Sequence, residues 1–191
     1  MILETIITTV DASGNVHTTP FGIRREDGYV IISPYKPSTT LENILLSKQA
    51  VLNLTDDVRV FAGALTGRKT WALVPTEKIT GFRLTDCLAH QELKLVKIEQ
   101  DDLRPKLYLE VVYEAQHQSF QGFNRAQAAV IELAVLVSRL TRLPMEKITQ
   151  DIEYLKIAVE KTAGPRELEA WNWLLEAVEN HIAALDNENL A

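Results

Sequence analysis

The sequence predicts an α+β fold, an antiparallel barrel or sandwich over residues 1 to about 118 followed by a helical part. Three observations carry this. Short β-branched and aliphatic runs alternate with turn formers at close spacing through the first part. The apolar period becomes helical at Asn124, and Pro144 and Gly164-Pro165 then divide the remainder into three helices.

Ile2 to Val10 reads as the first strand and ends at the turn formers Asp11-Ala12-Ser13-Gly14-Asn15. Val16 to Ile23 resumes an extended pattern, with Pro20 restricting it to an edge or a bulge. After a polar turn containing Gly28, Tyr29 to Ser33 is short and almost wholly apolar, which suits a buried strand. Ala50 to Thr55 follows. Leu93 to Ile98 and Lys106 to Gln116 are two further strands, joined by a hairpin loop at residues 101–105.

The first long helix is expected over Asn124 to Arg142, with Arg125, Glu132 and Arg139 forming one polar strip on an otherwise apolar surface. The second places Met145, Ile148, Ile152, Leu155 and Val159 on one stripe. The third does so with Leu168, Trp171, Leu175, Val178 and Ile182. Gly164 suits a helix stop and Pro165 a first turn, so the last two helices should form a hairpin. The expected divisions are a barrel over 1–122, a helical subdomain packed on it over 123–185, and a frayed tail over 186–191.

Composition narrows the function classes. A chain of 191 residues can bury about 70% of its unfolded surface, enough for a true core. The net charge of −6 argues against broad nucleic-acid binding, and Cys87 alone permits no internal disulfide. No run reaches the roughly 20 apolar residues of a membrane span, and no signal peptide is evident, so a cytoplasmic location is expected.

The stretch from Ile31 to Lys48, ISPYKPSTTLENILLSK, is the most informative. A strand ends, a loop with two prolines follows, and Thr39-Thr40-Leu41-Glu42 matches a capping box at a helix start. Ser38, Thr39 and Thr40 gather hydroxyls around unpaired amides, with Lys36 nearby. Such a cluster is a plain helix cap or an anion site, usually for phosphate.

ETIITTVDASGNVHTTPFGI, ISPYKPSTTLEN and AVLNLTDD, in that order and spacing, resemble the N-terminal half of FMN-binding split-barrel proteins. The likeness is strongest to a family of uncharacterised flavoproteins, with a flavin reductase-like barrel, found in methanogens and methylotrophs. FNRAQAAVIELAVLVSRL resembles the helix with which that family continues. The resemblance implies a six-stranded antiparallel split barrel, a homodimer, and FMN held at the subunit interface. It assigns Ser38, Thr40 and Asn43 to the phosphate, with Arg125 as a further phosphate ligand. His17, Thr18 and Pro20 would lie along the flavin ring or ribityl chain, Asn53 at the ring's polar edge, and Thr55 and Asp56 at the pocket border. The sequence departs from the family in carrying Ser38 in place of threonine and the bulkier Thr19 before Pro20. A flavin brings its own redox chemistry, so no protein nucleophile is required.

Other candidates read as structural. Cys87 and His90 form a lone Cys-x-x-His, short of the three or four ligands a metal needs, and no metal is expected. Asp56 and Asp57 are adjacent and point to opposite faces of a strand. Arg24 to Asp27 reads as a solvated turn and Arg68-Lys69 as a basic loop. The leading expectation is a flavin-dependent oxidoreductase of unknown substrate, with no catalytic side chain identified. The alternatives are a non-catalytic FMN or phosphate-ligand carrier, and a dimeric interaction module that uses the strip of Arg125, Glu132 and Arg139 without flavin.

Overall fold

The computed structural model describes residues 1–189. In chain order the elements are β1 (Leu3–Val10), β2 (Val16–Glu26), β3 (Tyr29–Ile32), α1 (Thr39–Ser47), β4 (Gln49–Leu54), α2 (Arg59–Thr66), β5 (Leu73–Pro75), β6 (Phe82–Leu84), β7 (Ala89–Glu99), β8 (Lys106–Gln116), α3 (Arg125–Val137), α4 (Met145–Thr162) and α5 (Pro165–Asn189). Two compact units result. One comprises Met1–Asp56 and Thr70–Phe120, the other Asp57–Lys69 and the chain from Gln121 onward. Among the described residues no helix is long and apolar enough to cross a membrane.

The first unit is the expected six-stranded antiparallel barrel, closed in the order β1-β2-β3-β8-β7-β4. Local chemistry sets its turns. Asp11 Oδ1 accepts from the amides of Ser13 and Asn15 at 2.8 and 2.9 Å, folding the β1–β2 connection. Asp27 and Gly28, both at positive φ (50° and 83°), form the two-residue loop that joins β2 to β3. That left-handed geometry matches the strand twist. Pro20 pairs with Ile6 of β1, in the stretch of β2 outside its three-residue ladder with β3, so its missing N–H breaks no β2–β3 bond. Ile7, Ile23, Val30, Ile32, Leu52, Leu93, Leu107 and Leu109 fill the interior, and Leu41 and Ile44 of α1 pack into the same cluster.

The second unit is helical and begins earlier in the chain than the sequence suggests, because α2 belongs to it. Asp57 organises its start. Its carboxylate accepts from the Arg59 amide at 3.1 Å and from the Arg59 guanidinium at 2.6 to 3.2 Å. Arg59 also reaches Glu169 of α5 at 3.1 Å. Arg68, expected in a loose loop, pairs with Glu176 at 2.6 Å and lies over the Trp173 ring, 5.0 Å from its centre. Asn124 caps α3 by accepting from the amides of Ala126 and Gln127, as an N-cap asparagine should.

Three expectations about the helices change. α3 ends at Val137, five residues early, where Ser138 to Leu143 close into tight turns; Arg139 therefore lies outside the helix. The buried stripe of α5 runs through Ala170, Trp171, Leu174 and Val178, whereas Leu168 and Ile182 are exposed. α5 continues through the expected tail to Asn189, and positions 190 and 191 lie outside the described residues. The nearly all-apolar surface of α3 is explained by its packing against α2, α4 and α5.

Candidate functional site

The N-terminus of α1 is held by the barrel unit. Ser38 is its N-cap, with Oγ accepting from the Leu41 amide at 3.2 Å. The cap thus sits one residue earlier than Thr39, and Glu42 makes no return bond, so the expected capping box does not form. The reason is register: with Ser38 as cap, the position that reaches back is Leu41. The first-turn amides of Thr39 and Thr40 have no acceptor among the described residues, while the Glu42 amide bonds the Ser38 carbonyl at 3.0 Å. Lys36 does not point its charge at these amides. Its Nζ donates to the Asp101 carbonyl at 2.8 Å, and its own amide donates to Leu103 O at 2.9 Å. Arg104 adds a bond to Ser33 O at 2.9 Å and covers the Tyr35 ring. The loop before α1 is therefore tied to the β7–β8 hairpin.

Asn43, one turn into α1, is 5% exposed and donates to Thr9 Oγ1 of β1 at 3.0 Å. Thr9 faces His17 across the β1–β2 ladder. His17 is half-buried and lies on the α1 side of β2 with Thr19, as residues two apart share a face. Thr18 and Pro20 take the opposite face, also half-buried. The three β2 residues assigned to one flavin therefore divide between the two sides of a strand.

Asn53 occupies that opposite face, in one row with Ile6 and Pro20. It is fully buried. Its Nδ2 contacts Ile6 O and Thr8 Oγ1, both at 3.3 Å, and its Oδ1 accepts from the Leu84 amide at 2.8 Å. Both ends of the Asn53 amide are thus engaged within the barrel unit. Asn53 fastens β6 to the outside of the barrel. Thr8 Oγ1 donates to Phe82 O, and Gln49 Oε1 accepts from the Thr80 amide at 2.9 Å. Together these side chains supply the backbone of segment 73–84 with partners it lacks in its own two-stranded sheet.

Glu92 completes this fastening and was not singled out by the sequence. Its carboxylate is 0% exposed and accepts from the amides of Glu77, Lys78 and Ile79 at 2.6, 2.7 and 2.9 Å. Burial alone would raise its pKa, but the three amides and His90 outweigh that and hold it below the ordinary carboxylate range. His90 Nε2 lies 3.4 Å from Glu92 Oε1, and His90 Nδ1 lies 2.9 Å from His117 Nε2, the rings stacked 5.1 Å apart. Because Glu92 is charged, His90 donates through Nε2 and accepts through Nδ1 from His117. Burial depresses both imidazoles below the usual histidine value. No feature of the sequence separates Glu92 from the solvent-facing residues of an ordinary strand.

Of the remaining assigned residues, Thr40 is buried at 1% exposure, Ser38 is half-buried, and Thr55 and Asp56 are half-buried just beyond β4. Arg125 is exposed at the start of α3 in the helical unit. Cys87 is buried, and among the described residues no group of three metal-binding side chains occurs.

The chain matches the N-terminal domain model of a family described as protein of unknown function (DUF447) over residues 3–118, and its second model over residues 124–176. It belongs to that family. Among solved structures, the chain is similar to the FMN-bound DUF447 protein MM1853 from Methanosarcina mazei, with TM-score 0.78 and 21% identity over 92% of this chain and 94% of that one. The 2-nitrobenzoate 2-nitroreductase NbaA of Pseudomonas fluorescens matches at TM-score 0.52 and 23% identity, over 60% of this chain and 64% of that one. Flavoredoxin from Methanosarcina acetivorans matches at TM-score 0.51 and 13% identity, over 63% and 72%. The last two cover a smaller share of the chain, and this DUF447 protein shares their fold over that part only.

Proposed function

We propose that this DUF447 protein binds FMN and acts as a flavin-dependent oxidoreductase, as a homodimer with FMN at the subunit interface. The observation that carries the reading is the α1 N-terminus, where the open amides of Thr39 and Thr40 stand beside the Ser38 and Thr39 hydroxyls. Aligned amides and the helix dipole favour a dianionic phosphate. The donor set therefore fits the phosphate end of FMN. Full-length likeness to an FMN-bound relative supports the choice of this cofactor over another phosphate.

In this reading Ser38, Thr39 and Thr40 hold the phosphate, and Asn43 positions the helix by its bond to Thr9. His17, on the α1 side of β2, provides polar contact, and Thr55 and Asp56 border the pocket. Asn53 keeps the outer segment in place and contacts no ligand. When bound, FMN supplies hydride and electron transfer that no side chain of the site provides. The protein's part is to bind, orient and shield it.

Protein purified without added cofactor should carry flavin absorbance, and titrated FMN should lose its free fluorescence. Colourless protein with unquenched FMN overturns the reading. Reduction of the bound flavin by NADH or NADPH and its reoxidation by an acceptor supports an oxidoreductase. Binding without turnover under a panel of donors leaves a carrier.

A further inference from the structure

The row that runs from Pro20 through Ile6 and Asn53 continues to His90 of β7, on the barrel face turned away from α1. There Glu92, His90 and His117 form one hydrogen-bonded chain. Three backbone amides fix the Glu92 carboxylate, His90 Nε2 lies 3.4 Å from it, and His117 Nε2 lies 2.9 Å from His90 Nδ1. The chain leads from a fully buried anion to the surface, because His117 is exposed. Its outer nitrogen, Nδ1, has no partner among the described residues. The fastening of residues 77–79 uses the Glu92 carboxylate and does not call on His117.

Arg83 of β6 stands beside this outlet. Its Nη1 donates to the carbonyls of Leu84 and Thr85 at 3.0 and 3.2 Å and lies 4.0 Å from Cys87 Sγ. Leu88, the next residue, accepts from the His117 and Gln118 amides at 2.7 and 3.0 Å, which draws the two segments to one rim. Arg83 is half-buried, and its Nε and Nη2 have no partner among the described residues. With Nη1 tied down, the open Nε–Nη2 edge is the fork that grips two oxygens of one oxyanion.

We infer that Arg83 and His117 form a proton-linked oxyanion site, which takes a phosphate, sulfate or carboxylate group of a small ligand. Arg83 supplies the permanent charge. His117 supplies a second donor only after it gains a proton, since its Nε2–H already points to His90 and its Nδ1 carries a lone pair. A lone pair repels an anion, so the bound state requires a proton from solvent on Nδ1. His117 then donates to the anion through Nδ1 and to His90 through Nε2, while His90 donates to Glu92. The new positive charge is thus supported at both ends, by the ligand outside and through His90 by the Glu92 carboxylate inside. Without ligand, burial and the Arg83 charge hold both imidazoles below the usual histidine value, which keeps the empty site neutral near pH 7. The other groups around the pair are Glu92 and Glu77, the Tyr113 ring against His90, and Asp86, which acts on the neighbouring Cys87. All of these residues belong to the barrel unit, and the site does not rest on the flavin reading.

The test uses the full chain with FMN present, at constant ionic strength, and titrates sulfate and acetate, neither of which changes charge between pH 8 and pH 6. Saturable shifts of the His117 ring signals are expected in NMR spectra, assigned by their loss in His117→Gln. Affinity should rise by about threefold or more from pH 8 to pH 6, as uptake of a proton on binding requires. Arg83→Gln should weaken binding by about tenfold. His117→Gln should bind as the parent does at pH 8 and lose the rise toward pH 6, read on the Arg83 Nε–H signal. That variant alters an exposed side chain, so the inference stays open to refutation if Arg83→Gln does not fold. A response to sulfate alone supports a tetrahedral anion as ligand, and a response to acetate as well supports a carboxylate too. Silence of His117 toward both probes overturns the inference. So does an affinity that is flat with pH in the parent, or a His117→Gln variant that keeps the parent's slope. Flavin fluorescence read on the same samples keeps the questions apart: retained flavin without a His117 response sinks only this site, and a response without flavin sinks only the cofactor reading.

Discussion

Asn43 of α1 donates its side-chain amide to Thr9 Oγ1 of β1 at 3.0 Å, with Asn43 buried. Thr9 is the ladder partner of His17, so one hydrogen bond links the candidate phosphate helix to the strand that carries the other candidate flavin contacts. Asn43→Ala removes the donor and leaves a buried hydroxyl with one partner fewer. A loss of about 1–2 kcal/mol in urea unfolding is expected. FMN affinity should also fall, by about tenfold, if the helix start shifts by even a fraction of an ångström. Fluorescence titration reads the second effect. Normal affinity in a destabilised variant would show that Asn43 supports the fold without positioning the cofactor.

Ser38 has two tasks, as N-cap and as candidate phosphate donor. Ser38→Ala should therefore cost about 1 kcal/mol of stability from the lost cap, and more in FMN binding. Thr40→Val keeps the shape of the buried side chain while removing its hydroxyl, and an FMN loss of about 1–3 kcal/mol is expected. If Thr40→Val binds FMN as the parent does, the phosphate is held by backbone amides, Ser38 and Thr39 without the Thr40 hydroxyl.

The barrel is legible because each strand carries its own local signal: Asp11 and Asn15 at one turn, Asp27-Gly28 at the next, and Leu107, Leu109, Val111 and Tyr113 on one face of the last strand. The segment from Thr70 to Leu88 carried none. β5 and β6 are three residues each and draw their hydrogen bonds from Asn53, Gln49 and Glu92 on distant strands. No sequence period records a partnership of that kind. Asn53 shows the same limit from the other side, since an asparagine in a strand reads equally as ligand or fastener until its neighbours are known. α2 leaves no trace in the sequence because its eight residues are too few to display a period.

Glu92→Gln tests the fastening of the outer segment. A carboxylate offers two acceptor oxygens to three amides, whereas glutamine turns one of them into a donor facing N–H groups. The expected cost is about 2–4 kcal/mol, because buried donors are left unpaired. Hydrogen exchange should speed up first at Glu77, Lys78 and Ile79. Protection unchanged at those three amides would mean that the segment is held in place without the Glu92 carboxylate.

The His90–His117 pair predicts a pH dependence with a definite sign. Both imidazoles are depressed in the folded protein, so on acidification the unfolded chain takes up protons first. Their contribution is complete above about pH 6.5 and is lost as pH falls from there toward the folded values. Glu92 acts in the same direction at lower pH, since its depressed carboxyl favours folding above its unfolded value and ceases to as it protonates. Groups that bear on His90 include Glu92, Glu77 and Arg83, with the Tyr113 ring beside it. Denaturant midpoints taken from pH 7.5 to 5.5 should fall in the parent protein and fall less in a His90→Gln, His117→Gln double variant. Equal slopes in the two proteins would assign the acid sensitivity elsewhere.

Asp57 and Asp56 are adjacent in sequence and differ in task. Asp57 is 5% exposed and binds Arg59 through both carboxylate oxygens, with Arg166 at 4.0 Å as a second cation. Asp57→Asn keeps the size of the side chain but removes the charge that faces the Arg59 guanidinium, which then has Glu169 as its remaining anionic partner. Hydrogen bonds to charged groups that are partly shielded contribute about 1.5–3 kcal/mol, so a loss toward the lower end is expected from a pair in which Arg59 stays 27% exposed. Asp56 is half-buried just beyond β4 and belongs to the barrel unit. Asp56→Asn should change stability little and FMN binding measurably, whereas Asp57→Asn should do the reverse. Measuring unfolding and FMN titration on both variants separates the two residues, and an FMN defect confined to Asp57→Asn would mean that the pocket border lies one residue further along the chain than proposed.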